Sequence, residues 1–205
     1  ILSGDHIYRM DYSTLLVLHT RRSARLTLGA VVVPRSEAHE FGILEVDEEG
    51  WVIGFEEKPT DPKTIPGKPD WCLVNMGVYV FDRKELVKEL KADAENPDSA
   101  RDFGKNVIPR MVEEGGVLGY PFLDKETDEP RYWRDIGTLD SYYHTAMDLV
   151  RPVPPFSLYD RDWPVRTWMA PVPPAKSVHG FLGGERPVGQ LIGSIIGGGS
   201  IISGG

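Results

Sequence analysis

An α/β fold is the class this sequence predicts. Over residues 1–150, apolar runs suited to strands alternate with stretches at helical spacing. The run LTLGAVVV at 26–33 is apolar almost throughout, as expected of a strand covered on both faces. Acidic residues follow several of these runs, where open α/β sheets place the groups that meet ligands.

The elements follow in order. The opening ILSGDHIY is an apolar pair running into a small-small-acid turn, which predicts a strand with Asp5 at its carboxyl end. Tyr12, Leu15, Leu16 and Leu18 place a helix after Asp11. Residues 41–46 and 51–55 flank Asp47-Glu48-Glu49-Gly50, an acidic turn ending in glycine and hence a hairpin. Another strand spans 73–81. Asp82 then caps RKELVKELK, with Leu86, Val87 and Leu90 at helical spacing. Val107, Ile108, Met111 and Val112 mark a further amphipathic stretch, compatible with Pro109 only if a helix begins there. A strand at 116–122 and a helix at 139–150 behind Thr138 complete this zone.

The next zone, 151–187, carries Pro152, Pro154, Pro155, Pro164, Pro171, Pro173, Pro174 and Pro187, and predicts a linker without regular structure. Phe156, Tyr159, Trp163 and Trp168 make it too apolar for a free tether, which predicts a linker lying against the first domain. Residues 194–199 and 200–205 repeat with a period of six, the signature of a β-helix; a glycine-rich tail is the plainer reading.

Composition narrows the function. A net charge of −8, from 31 acids against 23 bases, argues against a nucleic-acid surface. A phosphorylated small molecule stays compatible, since it needs only a local cation or a metal. Cys72 is the only cysteine, so there is no disulfide framework and a reducing compartment fits. The apolar tail from Leu191 is shorter than the ~20 residues of a membrane span and rich in glycine.

Several stretches carry chemistry. Asp5, after an apolar run and Gly4, suits a metal ligand or, more plainly, a turn acid. Glu56-Glu57-Lys58-Pro59 closes the hairpin, and a lysine held between strand and proline is a good point charge for phosphate, though surface strands often end this way. Asp102-Phe103-Gly104-Lys105 puts a carboxylate, an aromatic face and a cation within four residues, useful for sugar hydroxyls and equally ordinary as a helix entry. Tyr132-Trp133-Arg134-Asp135 before Gly137-Thr138 is the most unusual stretch, since such residues are costly to bury for stability alone. Asp160-Arg161-Asp162 spells an acid pair used by metal-dependent glycosyltransferases. It lies among prolines without a preceding strand and reads as a solvated or locally paired loop.

Taken in order and spacing, LSGDHIY, FGILEVDEEGWVIGFEEKP, NMGVYVF, DFGKNVIP, YWRDIGT and LYDRDWPVRT closely resemble the bacterial ADP-glucose pyrophosphorylase (glucose-1-phosphate adenylyltransferase) family, over essentially the whole chain. The resemblance implies the carboxyl-terminal portion of a Rossmann-like nucleotidyltransferase domain at 1–150, a Pro-rich linker at 151–187 and the first turns of a left-handed β-helix at 188–205. Family members begin with a Gly-rich nucleotide loop that has no counterpart here, so the resemblance also implies a fragment inactive by itself. It implies ATP and glucose 1-phosphate as substrates, ADP-glucose for glycogen or starch synthesis and pyrophosphate as products, allosteric control, a cytoplasmic location and a homotetramer in the intact protein.

Residue by residue, Asp5 and Asp135 match the two carboxylates that hold Mg²⁺. Lys58 matches the lysine on the sugar phosphate and Glu57 the carboxylate on glucose hydroxyls. Tyr79, Asp102, Phe103 and Trp133 match the rest of the sugar pocket, and Asn75 stands where a serine is usual. A UDP- or dTDP-glucose pyrophosphorylase and a non-catalytic regulatory subunit are the nearest alternatives. Retention of Asp5, Lys58 and Asp135 speaks against the latter.

Overall fold

A computed structural model describes residues 1–178, 189 and 191–203. Contacts divide the chain into two compact units, Ile1–Trp133 and Arg134–Gly205.

The first unit is built on a five-stranded sheet. In chain order its elements are β1 (His6–Tyr8), α1 (Tyr12–Arg22), β2 (Leu26–Pro34), α2 (Arg35–Ala38), β3 (Gly42–Val46), β4 (Val52–Glu57), β5 (Trp71–Phe81), α3 (Arg83–Glu95), a wide π-type turn (Phe103–Val107), α4 (Ile108–Glu114) and β6 (Val117–Pro121). The sheet order is β4-β3-β5-β2-β6. Only β2 and β6 run parallel; β2 with β5, β5 with β3, and β3 with β4 are antiparallel. The sheet is therefore mixed, with helices and apolar clusters on both faces.

Local chemistry accounts for the elements. Asp11 caps α1, accepting from Ser13 N at 2.9 Å, and Ser23 ends the helix in a left-handed conformation. In the β3–β4 hairpin Asp47 Oδ1 accepts from Glu49 N and Trp51 N, both at 2.9 Å. Asp82 caps α3 through Lys84 N and Glu85 N, and Pro109 stands in the first turn of α4, where its missing N–H costs nothing. Strand alternation sends Val31, Val33, Val74, Met76 and Val78 to one core with Leu15 and Trp133. Leu26, Leu28, Ala30, Leu73, Ile108 and Met111 go to the other.

Two expectations are corrected. Ile1 and Leu2 are not a buried strand: they are half exposed, Leu2 making one antiparallel bridge to Val78, and Asp5 stands before β1 rather than at a strand's carboxyl end. On α3 the residues that go inside are Glu89 and Asp93, while Val87 and Leu90 face solvent. Cations distant in sequence reverse the face: Arg110 donates to Glu89 Oε2 at 2.7 Å, and Arg25 stands 3.6 Å from its other oxygen.

β7 (Trp133–Asp135) starts on the last residue of the first unit. The second unit holds α5 (Leu139–Leu149), capped by Thr138, and a parallel pair of two-residue strands, β8 (Lys176–Ser177) and β9 (Ile201–Ile202). Residues 151–175 form neither helix nor strand. Of the aromatic residues there, Phe156 is half-buried, whereas Tyr159 and Trp168 are 75% and 82% exposed. Residues 179–188, Gln190 and the final two glycines lie outside the described residues, so the period-six repeat is followed only to Ser203. Among the described residues no helix is long and apolar enough to cross a membrane.

Candidate functional site

The site in the first unit rests on an irregularity in β5. The steps from Leu28 to Ala30 on β2 face the longer stretch from Tyr79 to Asn75 on β5, so β5 bulges at Met76-Gly77-Val78. Gly77 adopts φ 68°, and a Cβ there would lie 2.8 Å from the His6 ring. Asn75 holds the bulge, its Oδ1 accepting from Gly77 N at 3.1 Å while its Nδ2 donates to the Tyr79 hydroxyl at 2.8 Å.

The amino-terminal segment docks on this bulge. Ser3 N donates to Gly77 O and Tyr79 N to Ile1 O, both at 2.9 Å. His6 Nδ1 lies 3.0 Å from Met76 O; a carbonyl only accepts, so this nitrogen is the donor. Nε2 is 3.7 Å from Asp5 Oδ1, which also accepts from Ser3 Oγ at 2.9 Å. Asp5 is thus a surface carboxylate held from two sides.

In the second unit Asp135 ends β7. Its Oδ1 accepts from Gly137 N at 2.9 Å, and its carbonyl accepts from the Ser141 hydroxyl on α5. Asp5 and His6 in the first unit, and Asp135 in the second, each offer an atom that could hold a cation. Carboxylate oxygens suit a hard cation such as Mg²⁺, with the imidazole better placed to orient Asp5 than to ligate. His6, adjacent to Asp5 in sequence, is not among the sequence-predicted residues; the acid-histidine pair is its sequence signal.

The other sequence-predicted residues lie around β4, β5 and the π-type turn. Lys58 follows β4 with φ 48°, and Arg101, just before Asp102, has φ 59°. Non-glycine residues rarely adopt this region, and such strain collects at ligand-binding loops. Lys58 N donates to Phe41 O at 3.1 Å and Pro59 is buried, which fixes the backbone. The Lys58 ammonium is exposed and makes no ion pair among the described residues.

Glu57 is half-buried. Burial first, and the charge of Asp102 second, push its carboxyl above the usual range, against the pull of Lys58 and Lys105. Asp102 caps the π-type turn through Lys105 N at 3.0 Å. Phe103 packs on Tyr79 and Phe81 with ring centroids 6.0 and 5.9 Å apart, an apolar floor beside the polar groups. Burial also raises the Tyr79 hydroxyl, opposed by its bond from Asn75. Trp133 is 7% exposed, packed edge-on against His6 and Phe41, and its Nε1 has no hydrogen-bond partner among the described residues. A cation, carboxylates, hydroxyl and amide groups and an aromatic floor can bind a phosphorylated polyol.

The profile of the nucleotidyl transferase family matches residues 1–151. The chain belongs to the nucleotidyl transferase family. Relatives align over the entire chain: a glucose-1-phosphate adenylyltransferase of Shewanella frigidimarina is 50% identical over 205 residues, with 48% of its own length covered. Glucose-1-phosphate adenylyltransferase 1 of Alkalilimnicola ehrlichii is 46% identical, with 48% covered. The protein of the same name in Vibrio cholerae is 47% identical, with 50% covered. The chain spans about half the length of the curated relatives it matches. The first unit joins an α/β sheet to a cluster suited to a phosphate-bearing ligand.

Proposed function

We propose that this chain serves the sugar-phosphate side of a glucose-1-phosphate adenylyltransferase, in which ATP and glucose 1-phosphate give ADP-glucose and pyrophosphate. The observation that carries this reading is 50% identity over the full chain with a protein of that name. In the reaction a phosphate oxygen of glucose 1-phosphate attacks the α-phosphorus of ATP and pyrophosphate leaves. No covalent enzyme intermediate is needed, so positioning and charge neutralisation carry the catalysis.

Lys58 takes the sugar phosphate, its unpaired ammonium and constrained backbone favouring that role. Glu57 and Asp102 accept hydrogen bonds from glucose hydroxyls, Asn75 and Tyr79 add polar contacts from the β5 bulge, and Phe103 underlies the ring. Trp133 contributes its unpartnered indole N–H. Asp5 and Asp135 are the carboxylates assigned to Mg²⁺, which when bound neutralises phosphate charge. The cytoplasm, a homotetramer and the first turns of a β-helix at 188–205 belong to the same reading. Light scattering checks the assembly.

Calorimetric titration of glucose 1-phosphate tests the core of the proposal. Lys58→Ala weakens binding about tenfold or more, as expected for losing a charged hydrogen bond. Mn²⁺ binding followed by electron paramagnetic resonance stays unchanged in that variant and falls in Asp5→Asn and Asp135→Asn. In an active enzyme carrying this segment, Lys58→Ala raises KM for glucose 1-phosphate and leaves that for ATP within about twofold. Equal weakening for both substrates, or undiminished sugar-phosphate binding, refutes the lysine assignment. Replacing ATP by UTP or dTTP tests the base.

A further inference from the structure

The Glu57 carboxylate occupies space that two glycines leave open. Gly42 on β3 is its cross-strand partner on β4. A Cβ at Gly42 would fall 2.8 Å from Glu57 Oε2, and 2.5 Å from Phe55 Cζ. A Cβ at Gly104, in the π-type turn, would fall 2.6 Å from the same oxygen and 3.3 Å from Asp102 Oδ1. Neither glycine has a positive φ. Room, not backbone conformation, is what their missing side chains supply.

The occupant of this notch is incomplete. The Glu57 carboxylate takes no hydrogen bond and no ion pair among the described residues, although the residue is half-buried. A desolvated acceptor with nothing donating to it is costly unless a ligand completes it. The Gly104 position brings both carboxylates beside one point, Glu57 through Oε2 and Asp102 through Oδ1. Two acceptors side by side suit a ligand bearing several adjacent hydroxyls.

We propose that Gly42 and Gly104 are positioning residues of the sugar site, forming a notch that holds the Glu57 carboxylate beside Asp102 so that the pair selects a polyhydroxylated sugar phosphate. This rests on the reading that Glu57 contacts the sugar. Gly104 gives the sharper test, because a side chain at Gly42 also strikes Phe55, whereas the close neighbours of one at Gly104 are the two carboxylates.

The experiment uses the 205-residue chain with carboxyl-¹³C glutamate and two probes, glucose 1-phosphate and inorganic phosphate. Gly104→Ala weakens glucose 1-phosphate about tenfold, the loss of a charged hydrogen bond, and leaves inorganic phosphate, which needs only Lys58, within about twofold. It also returns the Glu57 carboxyl titration toward the ordinary glutamate range. In a Glu57→Ala background, where the notch is empty, adding Gly104→Ala causes no further loss.

Unchanged sugar-phosphate affinity in Gly104→Ala overturns the proposal, as does an equal loss in both backgrounds. If Glu57→Ala binds glucose 1-phosphate as well as wild type, the sugar reading of Glu57 fails. The notch is then judged by the carboxyl titration, and an unmoved Glu57 signal in Gly104→Ala rejects it. If Gly104→Ala lowers the melting temperature, Glu57→Ala must restore it in the double variant, since the clash is with that carboxylate; failure to restore refutes the geometry.

Discussion

Glu89 and Glu57, both in the first unit, meet burial in opposite ways. Glu89 is 1% exposed and ringed by cations: Arg110 donates to Oε2 at 2.7 Å and to the Glu89 carbonyl at 2.9 Å, with Lys88 and Arg25 at 3.4 and 3.6 Å from Oε1. Glu57 is half-buried with no donor and faces another acid. The first arrangement ties α3 to α4 and to the start of β2. The second leaves acceptor capacity for something that arrives from outside. An uncompensated carboxylate in a cleft is thus a better pointer to ligand binding than burial by itself.

The largest expected effect sharpens that contrast from the structural side. Glu89→Ala leaves the Arg110 guanidinium without its buried carboxylate, while Arg25 keeps Glu85 and Glu114, and lowers stability by about 3 kcal/mol in urea unfolding. Sugar-phosphate affinity of the folded fraction is unaffected.

Next is Glu57→Gln, with the opposite sign. A carboxyl held above its ordinary pKa binds its proton more tightly folded than unfolded, so its favourable contribution is complete at acid pH and lost as pH rises through the folded value. The groups that set this are burial, Asp102, Lys58 and Lys105. Glu57→Gln therefore melts about 1–2 °C higher than wild type at pH 7, allowing for solvent access. The gap closes below about pH 4, while glucose 1-phosphate binding weakens. Melting curves from pH 3 to 8 check both signs; a variant less stable at pH 7 would break the comparison.

Two further effects lie on α3 itself. Asp82→Ala removes a cap that accepts from two backbone amides and costs about 1 kcal/mol. Leu90→Gln, at a position 43% exposed, changes stability by less than about 0.5 kcal/mol, whereas a core leucine would cost several times more. Urea titrations of these two variants separate the cap from the exposed face.

What could be read without coordinates was what depends on neighbours in sequence. Asp11, Asp82 and Thr138 announce their helices because caps act over two or three residues. Asp47 and Gly50 announce the hairpin for the same reason. The buried face of α3 was illegible, because Arg25 and Arg110 lie far along the chain from Glu89. The antiparallel placing of β5 beside β2, and the bulge that seats Asn75 and Gly77, likewise arise from pairing distant segments. At the candidate site, Lys58 and Asp102 stand out by local pattern and Glu57 takes its expected role from the resemblance, whereas Gly42 carries no signal until the strand opposite it is known. Gly104 lay inside a recognised motif without a role, since a missing atom becomes informative only through what fills its place.

Strand β2 has a consequence for how the molecule breathes. It is bonded to β5 along one edge and to β6 along the other from Leu26 to Ala30, and is buried over most of its length. Its amides have no way to reach solvent short of dismantling the sheet, so in deuterium exchange they report the opening of the whole first unit. The two-residue β8 and β9 strands, which pair with each other, exchange through local excursions. A single exchange experiment thus contains its own internal clock, with the slowest β2 amides setting the scale against which ligand protection at Asn75 and Lys58 is read.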